Sequence, residues 1–383
     1  MATRTVTIAI NGATGRMGTH HHLHRSLLTI RREGGLPLRN GDRLVPEPII
    51  LGRNREKLRA LAQSLGVERW SSDLDAVLSD PKVDIFFDCS ATGGRAALAH
   101  RVIAAGKHIY LEKPIAETLE DALSIAGAAA RAGLKNGVIQ DKVNLPGPRK
   151  LALVRDSGFF GKLLAARLEF GWWVFDGTVQ PCQRSSWNYR RADGGGLVLD
   201  MFQHWRYMID RLLGDIRGIT CRTATLTPRR IDERGLAYDV DVEDAAYATI
   251  ELKSGAIVEL SSSWCTRVRR DDLMTLHVDG TQGSALAGLH RCWTQSLANT
   301  PKPLFNPDEP QTMRFHEQWS EVPDNLPHQN PFRTCWESFL RHWAEDAPFV
   351  STLLEGAKGV QLADAAYRSE KERRWIELPQ LSV

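Results

Sequence analysis

Residues 6–18 read VTIAINGATGRMG, and this stretch decides the fold of the first half of the chain. The β-branched run VTIAI predicts a buried strand. Three glycines follow it and open a helix, so backbone N–H groups can approach a pyrophosphate at a helix N-terminus. The spacing is GxxGxxG rather than the stricter GxGxxG, which leaves a Gly-rich turn without a ligand as the alternative. The predicted dinucleotide contacts in this turn are Gly12, Thr14, Gly15, Arg16 and Met17.

Strands alternate with helices from residue 5 to residue 142, which predicts a doubly wound parallel sheet. The predicted strands are 6–10, 48–52, 83–89, 107–111 and 137–142. Residues 31–47 are polar and rich in Gly, Pro and Arg, and we predict an inserted loop there, to which the sequence assigns no role.

The end of the second strand reads Gly52-Arg53-Asn54-Arg55. An acidic residue here would bind the adenosine ribose hydroxyl, whereas an arginine accommodates a 2′-phosphate. Because no acid is present and Arg53 is, the sequence favours NADP over NAD, with Arg53 and Asn54 as predicted contacts. The alternative is that Arg53 faces water.

Two further strand ends carry polar residues beside the predicted cofactor. Ser90, Thr92 and Arg95 follow the third strand of the alternating series, next to the expected pyrophosphate and nicotinamide. Glu112-Lys113-Pro114 follows the next one; proline disfavours the α region for the residue before it, and the X–Pro bond can be cis. Lys113 is therefore held at the edge where such sheets bind ligands. An exposed Glu–Lys pair at a turn is the alternative.

After Pro146 the chain becomes β-rich, which predicts an α+β domain with a broad, largely antiparallel open sheet. We place the division between residues 1–145 and 146–383. The predicted strands are 163–175, 218–226, 244–252, 256–265 and 272–278, and helices are predicted at 149–156, 331–344 and 352–369.

Asp200 and His204 are four residues apart on a predicted helix that follows Gly194-Gly195-Gly196. This spacing places a carboxylate and an imidazole on one helix face, and histidine suits general acid–base chemistry near neutral pH. The glycines predict a close backbone approach to a ligand. An Asp–His pair on a helix surface is the alternative. The predicted substrate contacts are Lys142, Trp172, Trp187, Tyr189, Asp200 and His204.

Taken in this order and spacing, the motifs resemble the glucose–fructose oxidoreductase / inositol dehydrogenase family (Gfo/Idh/MocA). The resemblance implies a Rossmann domain followed by a domain whose open sheet forms homodimers or homotetramers. It places the family's catalytic residues on Lys113, Asp200 and His204, with Glu112 and Lys113 beside the cofactor. The turn Ser90-Ala-Thr92-Gly-Gly-Arg95 departs from the family's Thr-Pro-Asn-x-x-His, so the nicotinamide contacts are not carried over from the family.

The resemblance implies hydride transfer between NAD(P) and a secondary alcohol or ketone of a sugar, sugar derivative, glycoside or polyol. His204 would be the general base, Lys113 would bind the reacting oxygen, and Asp200 would anchor a neighbouring hydroxyl. Trp172, Trp173 and Trp187 would stack on the sugar ring, although core packing is the commoner role of tryptophan.

The motifs have two alternative interpretations. A nucleotide-bound sugar sensor without turnover, as in galactose-repressor relatives, would not be expected to keep the lysine, aspartate and histidine together. Dihydrodipicolinate reductases share the GxxGRMG opening, but their His-His-x-x-Lys site is absent from this sequence.

The bulk composition excludes several classes of partner. The chain has 383 residues, a formal net charge of +3 and six scattered cysteines. The charge gives no case for nucleic acid, and the cysteines predict reduced thiols in a cytoplasmic protein. There is no signal-peptide core or bilayer-length apolar run, so no membrane association is expected. His20 and His24 share a helix face without further ligands at metal spacing, so we predict no metal site.

Overall fold

The structure, a computed structural model, describes residues 2–173, 177–324, 327 and 329–383. Its first sheet has six parallel strands in the order β4-β3-β1-β5-β6-β7, and the short β2 pairs antiparallel with β3. The strands are β1 (Thr3–Asn11), β2 (Leu36–Pro37), β3 (Arg43–Leu51), β4 (Arg69–Ser71), β5 (Ile85–Asp88), β6 (His108–Leu111) and β7 (Asn136–Val138). The strand order reverses at β1, where α/β sheets of this kind bind their ligands, and the predicted Rossmann sheet is confirmed.

Helices cover both faces of this sheet. Ile8 and Ile10 of β1 face one apolar cluster and Ala9 faces the other, as the two-residue period of a strand requires. The helices are α1 (Leu28–Arg32), α2 (Arg55–Leu65), α3 (Leu74–Ser79), α4 (Arg95–Ala104) and α5 (Leu119–Arg131). The helix predicted after the Gly-rich turn begins as a π-helix, Met17–Leu27, and continues into α1.

The predicted loop at residues 31–47 was wrong over much of its length. β2 lies within it, and β3 begins at Arg43 rather than at residue 48. The guanidinium of Arg43 donates to the carbonyls of Gly34 and Gly35 and so closes the turn before β2. Residues 45–48 of β3 pair with β1 on one side only, which accommodates Pro46 and Pro48 in a strand.

The second sheet has nine strands in the order β17-β16-β15-β14-β8-β13-β12-β9-β18, and only the β8–β13 pair is parallel. Its strands are β8 (Leu163–Gly171), β9 (Ile216–Ala224), β12 (Ala245–Leu252), β13 (Ile257–Ser263), β14 (Met274–Gly280), β15 (Gly283–Ala287), β16 (Cys292–Ser296), β17 (Ser320–Glu321) and β18 (Ile376–Glu377). The short strands β10 (Arg229–Ile231) and β11 (Ala237–Asp239) form a separate pair. The predicted open, mostly antiparallel sheet is confirmed.

Four α-helices complete the described part of the chain: α6 (Pro146–Asp156), α7 (Leu197–Leu212), α8 (Pro331–Glu345) and α9 (Leu353–Glu372). Helix α7 packs on one face of the nine-stranded sheet and is buried along most of its length. Helix α8 instead adds Trp336 and Phe339 to the core of the first sheet. The division at residue 145 stays a prediction, and the C-terminal part of the chain contributes to both cores.

Several predicted boundaries were wrong. β7 ends at Val138, and Lys142 lies in a 3₁₀ turn, Lys142–Asn144, rather than in a strand. The strand predicted at 163–175 ends at Gly171, and residues 174–176 lie outside the described residues. The strands β10, β11 and β15–β18 were not predicted, because most are short and five of the six lie towards sheet edges or outside the main sheets.

Candidate functional site

The Gly-rich turn after β1 touches the end of β5. Gly12 has a φ of +78°, and a Cβ on it would lie 2.7 Å from the backbone nitrogen of Ser90. A Cβ on Gly18 would lie 2.6 Å from the carbonyl oxygen of Gly12. Both positions therefore require glycine, because the turn packs directly against its own backbone and against the end of β5 at the strand-order reversal. The predicted contacts that lie exposed or half-exposed around this turn are Thr14, Gly15, Arg16 and Met17.

The end of β3 carries the residues predicted to select the nucleotide. Arg53 is exposed there. The side chain of Asn54 accepts a hydrogen bond from the backbone nitrogen of Lys57 at 2.9 Å and so caps α2. This cap engages the Asn54 carbonyl, whereas the Arg53 side chain stays exposed beside it.

Arg95 lies beneath the site. Its side chain is 2% exposed and forms an ion pair with Asp88 at 2.7 Å. The guanidinium also donates to the carbonyls of Glu112, Pro114 and Ser90. We therefore correct the predicted cofactor contact: Arg95 holds together the loops after β5 and β6, and Ser90, whose hydroxyl donates to Asp88 at 2.7 Å, belongs to the same network. Thr92 is half-buried in the same turn.

The loop after β6 presents Lys113 through a cis Lys113–Pro114 peptide bond. Glu112 points inward and is 6% exposed. Its Oε2 accepts from the backbone nitrogen of Lys113 at 3.0 Å, and its Oε1 contacts Nε2 of His22 at 2.9 Å. Because the indole of Trp336 donates to Nδ1 of His22 at 3.1 Å, the His22 proton lies on Nε2 and is donated to Glu112. Glu112 thus holds the Lys113 backbone from below.

Lys113 and Asp200 form an ion pair across the two halves of the chain. The ammonium Nζ lies 2.5 Å from Oδ1 of Asp200 and also donates to the Asp200 carbonyl at 3.0 Å. Arg184 binds the other carboxylate oxygen, Oδ2, and its Nε donates to Asn188 at 2.7 Å. Burial alone would raise the pKa of Asp200, but the nearby cations Lys113 and Arg184 lower it to about 2. Asp200 is therefore an anion clamped between two cations.

His204 lies one turn after Asp200 on α7 and is 6% exposed. Its Nδ1 lies 2.8 Å from the hydroxyl of Tyr207, and that hydroxyl lies 3.3 Å from Oδ1 of Asp141. Asp141 pairs with Nζ of Lys142 at 2.5 Å. Burial lowers the pKa of His204 well below its usual range, and the charges of Lys113 and other nearby cations lower it further. The imidazole is therefore neutral near pH 7.

The predicted aromatic contacts lie at different depths. Trp187 is 49% exposed, in the 3₁₀ turn Ser186–Tyr189. Trp172 is half-buried and packs against the core of the second sheet, and Trp173 is stacked under Arg267 at 3.5 Å from its guanidinium carbon. Tyr189 is fully buried, so the structure places it beneath the site and not in contact with a substrate.

Two of the three glycines before α7, Gly195 and Gly196, serve the protein's own packing. A Cβ on Gly195 would lie 2.5 Å from the carbonyl oxygen of Asn188. Gly196 has a φ of +122°, and its Cβ would lie 2.8 Å from Oε1 of Glu243. The close approach predicted toward a ligand is instead an approach to neighbouring segments, which positions the start of α7 and hence Asp200.

The residues that sequence reasoning missed are Asp141, Arg184 and Tyr207, together with His22 and Trp336 behind Lys113. One local signal existed, because Tyr207 follows His204 by three residues on a helix. Within the described ranges, the structure groups no three His, Cys, Asp or Glu side chains in a way that suits a metal ion. No helix in that part of the chain is long and apolar enough to span a membrane.

Comparisons with known proteins identify the family of this chain. Residues 6–139 match the profile of the oxidoreductase family with an NAD-binding Rossmann fold, and residues 149–286 match the GFO/IDH/MocA C-terminal domain. D-xylose dehydrogenase from Paenarthrobacter nicotinovorans is 48% identical over 100% of this chain and 99% of its own length. The chain belongs to the Gfo/Idh/MocA family of oxidoreductases.

More distant relatives of this family share the whole architecture. Levoglucosan dehydrogenase from Pseudarthrobacter phenanthrenivorans is 21% identical over 88% of this chain and 90% of its own. A solved levoglucosan dehydrogenase in complex with NADH and levoglucosan superposes with a TM-score of 0.81, at 21% identity, and covers 98% of this chain and 100% of its own. At this identity the structural likeness establishes the fold.

Proposed function

We propose that this enzyme oxidises a hydroxyl-bearing carbon of a sugar, sugar derivative, glycoside or polyol to a carbonyl, with the reverse reduction also possible. The main observation is that Lys113 pairs with Asp200 and its charge acts on His204, although Lys113 belongs to the first half of the chain and the other two residues lie on α7. D-xylose is the first substrate to test, because the relative identical at 48% over the whole chain is a D-xylose dehydrogenase.

The residues present fit a nicotinamide dinucleotide. The exposed backbone of Thr14, Gly15 and Arg16, just before the helix that follows β1, would receive the pyrophosphate. When bound, the nicotinamide ring supplies the hydride acceptor or donor. The exposed Arg53 at the end of β3 supports a preference for NADP over NAD, because a guanidinium forms charge-assisted hydrogen bonds with a 2′-phosphate.

Residues of this chain carry out the proton transfer and bind the substrate oxygens. His204 is neutral and takes the proton of the substrate hydroxyl at Nε2, for which no hydrogen-bond partner lies among the described residues. Lys113 donates to the same oxygen and stabilises the negative charge that develops there. Both Asp200 oxygens are engaged by cations, so this carboxylate orients the Lys113 ammonium and uses a remaining lone pair for a neighbouring substrate hydroxyl. Lys142 and Trp187 would line the sugar.

The open face of the nine-stranded sheet supports a homodimer or homotetramer. Tyr247 and Ile257 lie on neighbouring strands of this face and are 45% and 39% exposed. Burial of these side chains against a second copy would remove apolar surface from water. Light scattering on the purified protein measures the mass directly, and a monomer at micromolar concentration would contradict this assembly.

The test of the proposed function is cofactor reduction across a sugar and polyol panel, beginning with D-xylose, with NAD and NADP in parallel. Nucleotide binding is measured separately by calorimetry, and Lys113→Met and His204→Gln serve as inactive references. Turnover that is lost in both variants supports the proposal. Bound nucleotide without reduction of any cofactor would refute it and would favour the nucleotide-bound sugar sensor, which no comparison supports.

A further inference from the structure

The hydroxyl of Tyr207 has three polar neighbours, and only one arrangement of protons satisfies all of them. The backbone nitrogen of Lys142 can only donate to it, at 3.1 Å. Asp141 can only accept, because its carboxyl is ionised. Burial raises its pKa, but the charges of Lys142 and Lys113 outweigh this effect and lower the pKa overall. A hydroxyl has one proton, which therefore goes to Asp141 at 3.3 Å. The remaining neighbour, His204 Nδ1 at 2.8 Å, must then be protonated and donate to Tyr207.

We propose that Asp141 acts through Tyr207 as a positioning residue that sets the tautomer of His204. With the proton on Nδ1, the lone pair of His204 lies on Nε2, which is the form that can accept a proton from a substrate hydroxyl. When the O–H bond of the substrate breaks and the Nε2–H bond forms, the new imidazolium faces the ionised Asp141, whose Oδ1 is 3.8 Å from Nδ1. This inference rests on the proposed role of His204 as the base.

Substitution of Asp141 by asparagine should reverse the hydrogen bonds of this chain. Nζ of Lys142 lies 2.5 Å from Oδ2 of Asp141, so the ammonium will attract the amide oxygen of an asparagine. The amide NH₂ then faces Tyr207. The Tyr207 hydroxyl now accepts from this NH₂ and from the backbone nitrogen of Lys142, so it must donate its own proton to Nδ1 of His204. His204 is left with its proton on Nε2 and cannot act as the base.

Substitution of Tyr207 by phenylalanine should behave differently. It removes the bridging hydroxyl but keeps the carboxylate of Asp141, which only accepts and so preserves the proton on His204 Nδ1. We expect Asp141→Asn to lower kcat/KM for oxidation by roughly two to four orders of magnitude, the contribution of a positioned general base. We expect Tyr207→Phe to cost only about tenfold, the effect of one lost hydrogen bond. The double variant should be no worse than Asp141→Asn.

A matched control is Asp210→Asn. Asp210 also lies on α7, its side chain is 7% exposed, and it pairs with Arg206 at 2.6 Å away from His204. This variant reports what the loss of a buried carboxylate costs without any change at His204, and we expect kcat/KM within about threefold of the native value. A comparable loss in Asp210→Asn and Asp141→Asn would reduce the role of Asp141 to general stability and overturn the inference.

The second readout is the ¹⁵N chemical shift of the histidine side chains, which separates protonated from unprotonated ring nitrogens. His204 is assigned by the signals that disappear in His204→Gln. We expect a proton on Nδ1 in the native protein and in Tyr207→Phe, and on Nε2 in Asp141→Asn. If His204→Gln is inactive but Asp141→Asn keeps the native tautomer, the role of Asp141 is refuted and the proposed base stands. Full activity of His204→Gln would instead refute the proposed base itself.

Discussion

Glu112→Gln tests how the protein holds Lys113, the lysine that we propose binds the reacting oxygen. The two carboxylate oxygens of Glu112 receive different donors: His22 at 2.9 Å on Oε1 and the backbone of Lys113 at 3.0 Å on Oε2. A glutamine offers only one oxygen, so one of the two donors must face an NH₂ group. His22 cannot relieve the conflict by moving its proton, because its Nδ1 already accepts from Trp336.

The cost can be estimated from these contacts. Glu112 is 6% exposed, so the donor that loses its acceptor is buried, and such a donor costs about 1–3 kcal/mol. Urea unfolding should show this loss in the free energy of unfolding. A misplaced Lys113 would also stabilise the transition state less well. If this loss is about 1.4 kcal/mol, kcat/KM falls about tenfold.

Glu243→Gln is the matched control. Glu243 is 7% exposed, but the backbone of Val198 and the hydroxyl of Tyr367 both donate to the same oxygen, each at 2.9 Å. One amide oxygen can serve both donors, so we expect a loss below about 1 kcal/mol and little change in kcat/KM. Equal effects of the two substitutions, or a Glu112→Gln enzyme with native stability and activity, would refute the reasoning.

Three further predictions concern the base, the cofactor and the Gly-rich turn. Burial and nearby cations lower the pKa of His204, so its neutral form persists as the pH falls. The pH profile of kcat/KM for oxidation should therefore stay level through pH 6.5 and fall only well below it. A decrease in kcat/KM centred at pH 6.5 would contradict this. Arg53→Asp should lower the NADP-to-NAD ratio of kcat/KM about ten- to hundredfold, and a native preference for NAD or an unchanged ratio would refute the assignment. Gly12→Ala should weaken nucleotide binding and cost more stability than Gly66→Ala, because both have positive φ but only Gly12 would also press on Ser90; calorimetry and thermal unfolding compare them, and equal losses would contradict the close approach.

Local patterns in the sequence were sufficient for the parts of the site that are held by a single element. The glycines of residues 12–18, the Lys113-Pro114 pair and the spacing of Asp200 and His204 each follow from one strand end or one helix period. The carboxyl ends of parallel strands meet at one edge, so the first two of these could be placed together from topology alone.

The supporting contacts could not be predicted in this way, because they join segments far apart in the chain. His22 contacts Glu112 across 90 residues and Trp336 across 314 residues. For Arg95 the sequence instead predicted a contact that the structure does not support. A charged residue in a turn near the cofactor suggested a ligand contact, but its side chain is 2% exposed. Sequence position does not reveal whether an arginine at a strand end points to the ligand or to the loops that surround it.

The direction of the hydrogen bonds at His204 also depends on residues that lie far apart in the chain. Helical periodicity alone brings Tyr207 close to His204, but it does not say which of the two groups donates. We propose that Asp141 makes that choice; it follows the last strand of the first sheet, whereas His204 and Tyr207 lie on α7, which packs on the second sheet. Lys113 reaches Asp200 across the same boundary. In the proposed mechanism, the first half of the chain therefore supplies both the cation for the reacting oxygen and the anion that fixes the tautomer of the base. Residues 146–383 alone would contain His204 without Lys113 and Asp141.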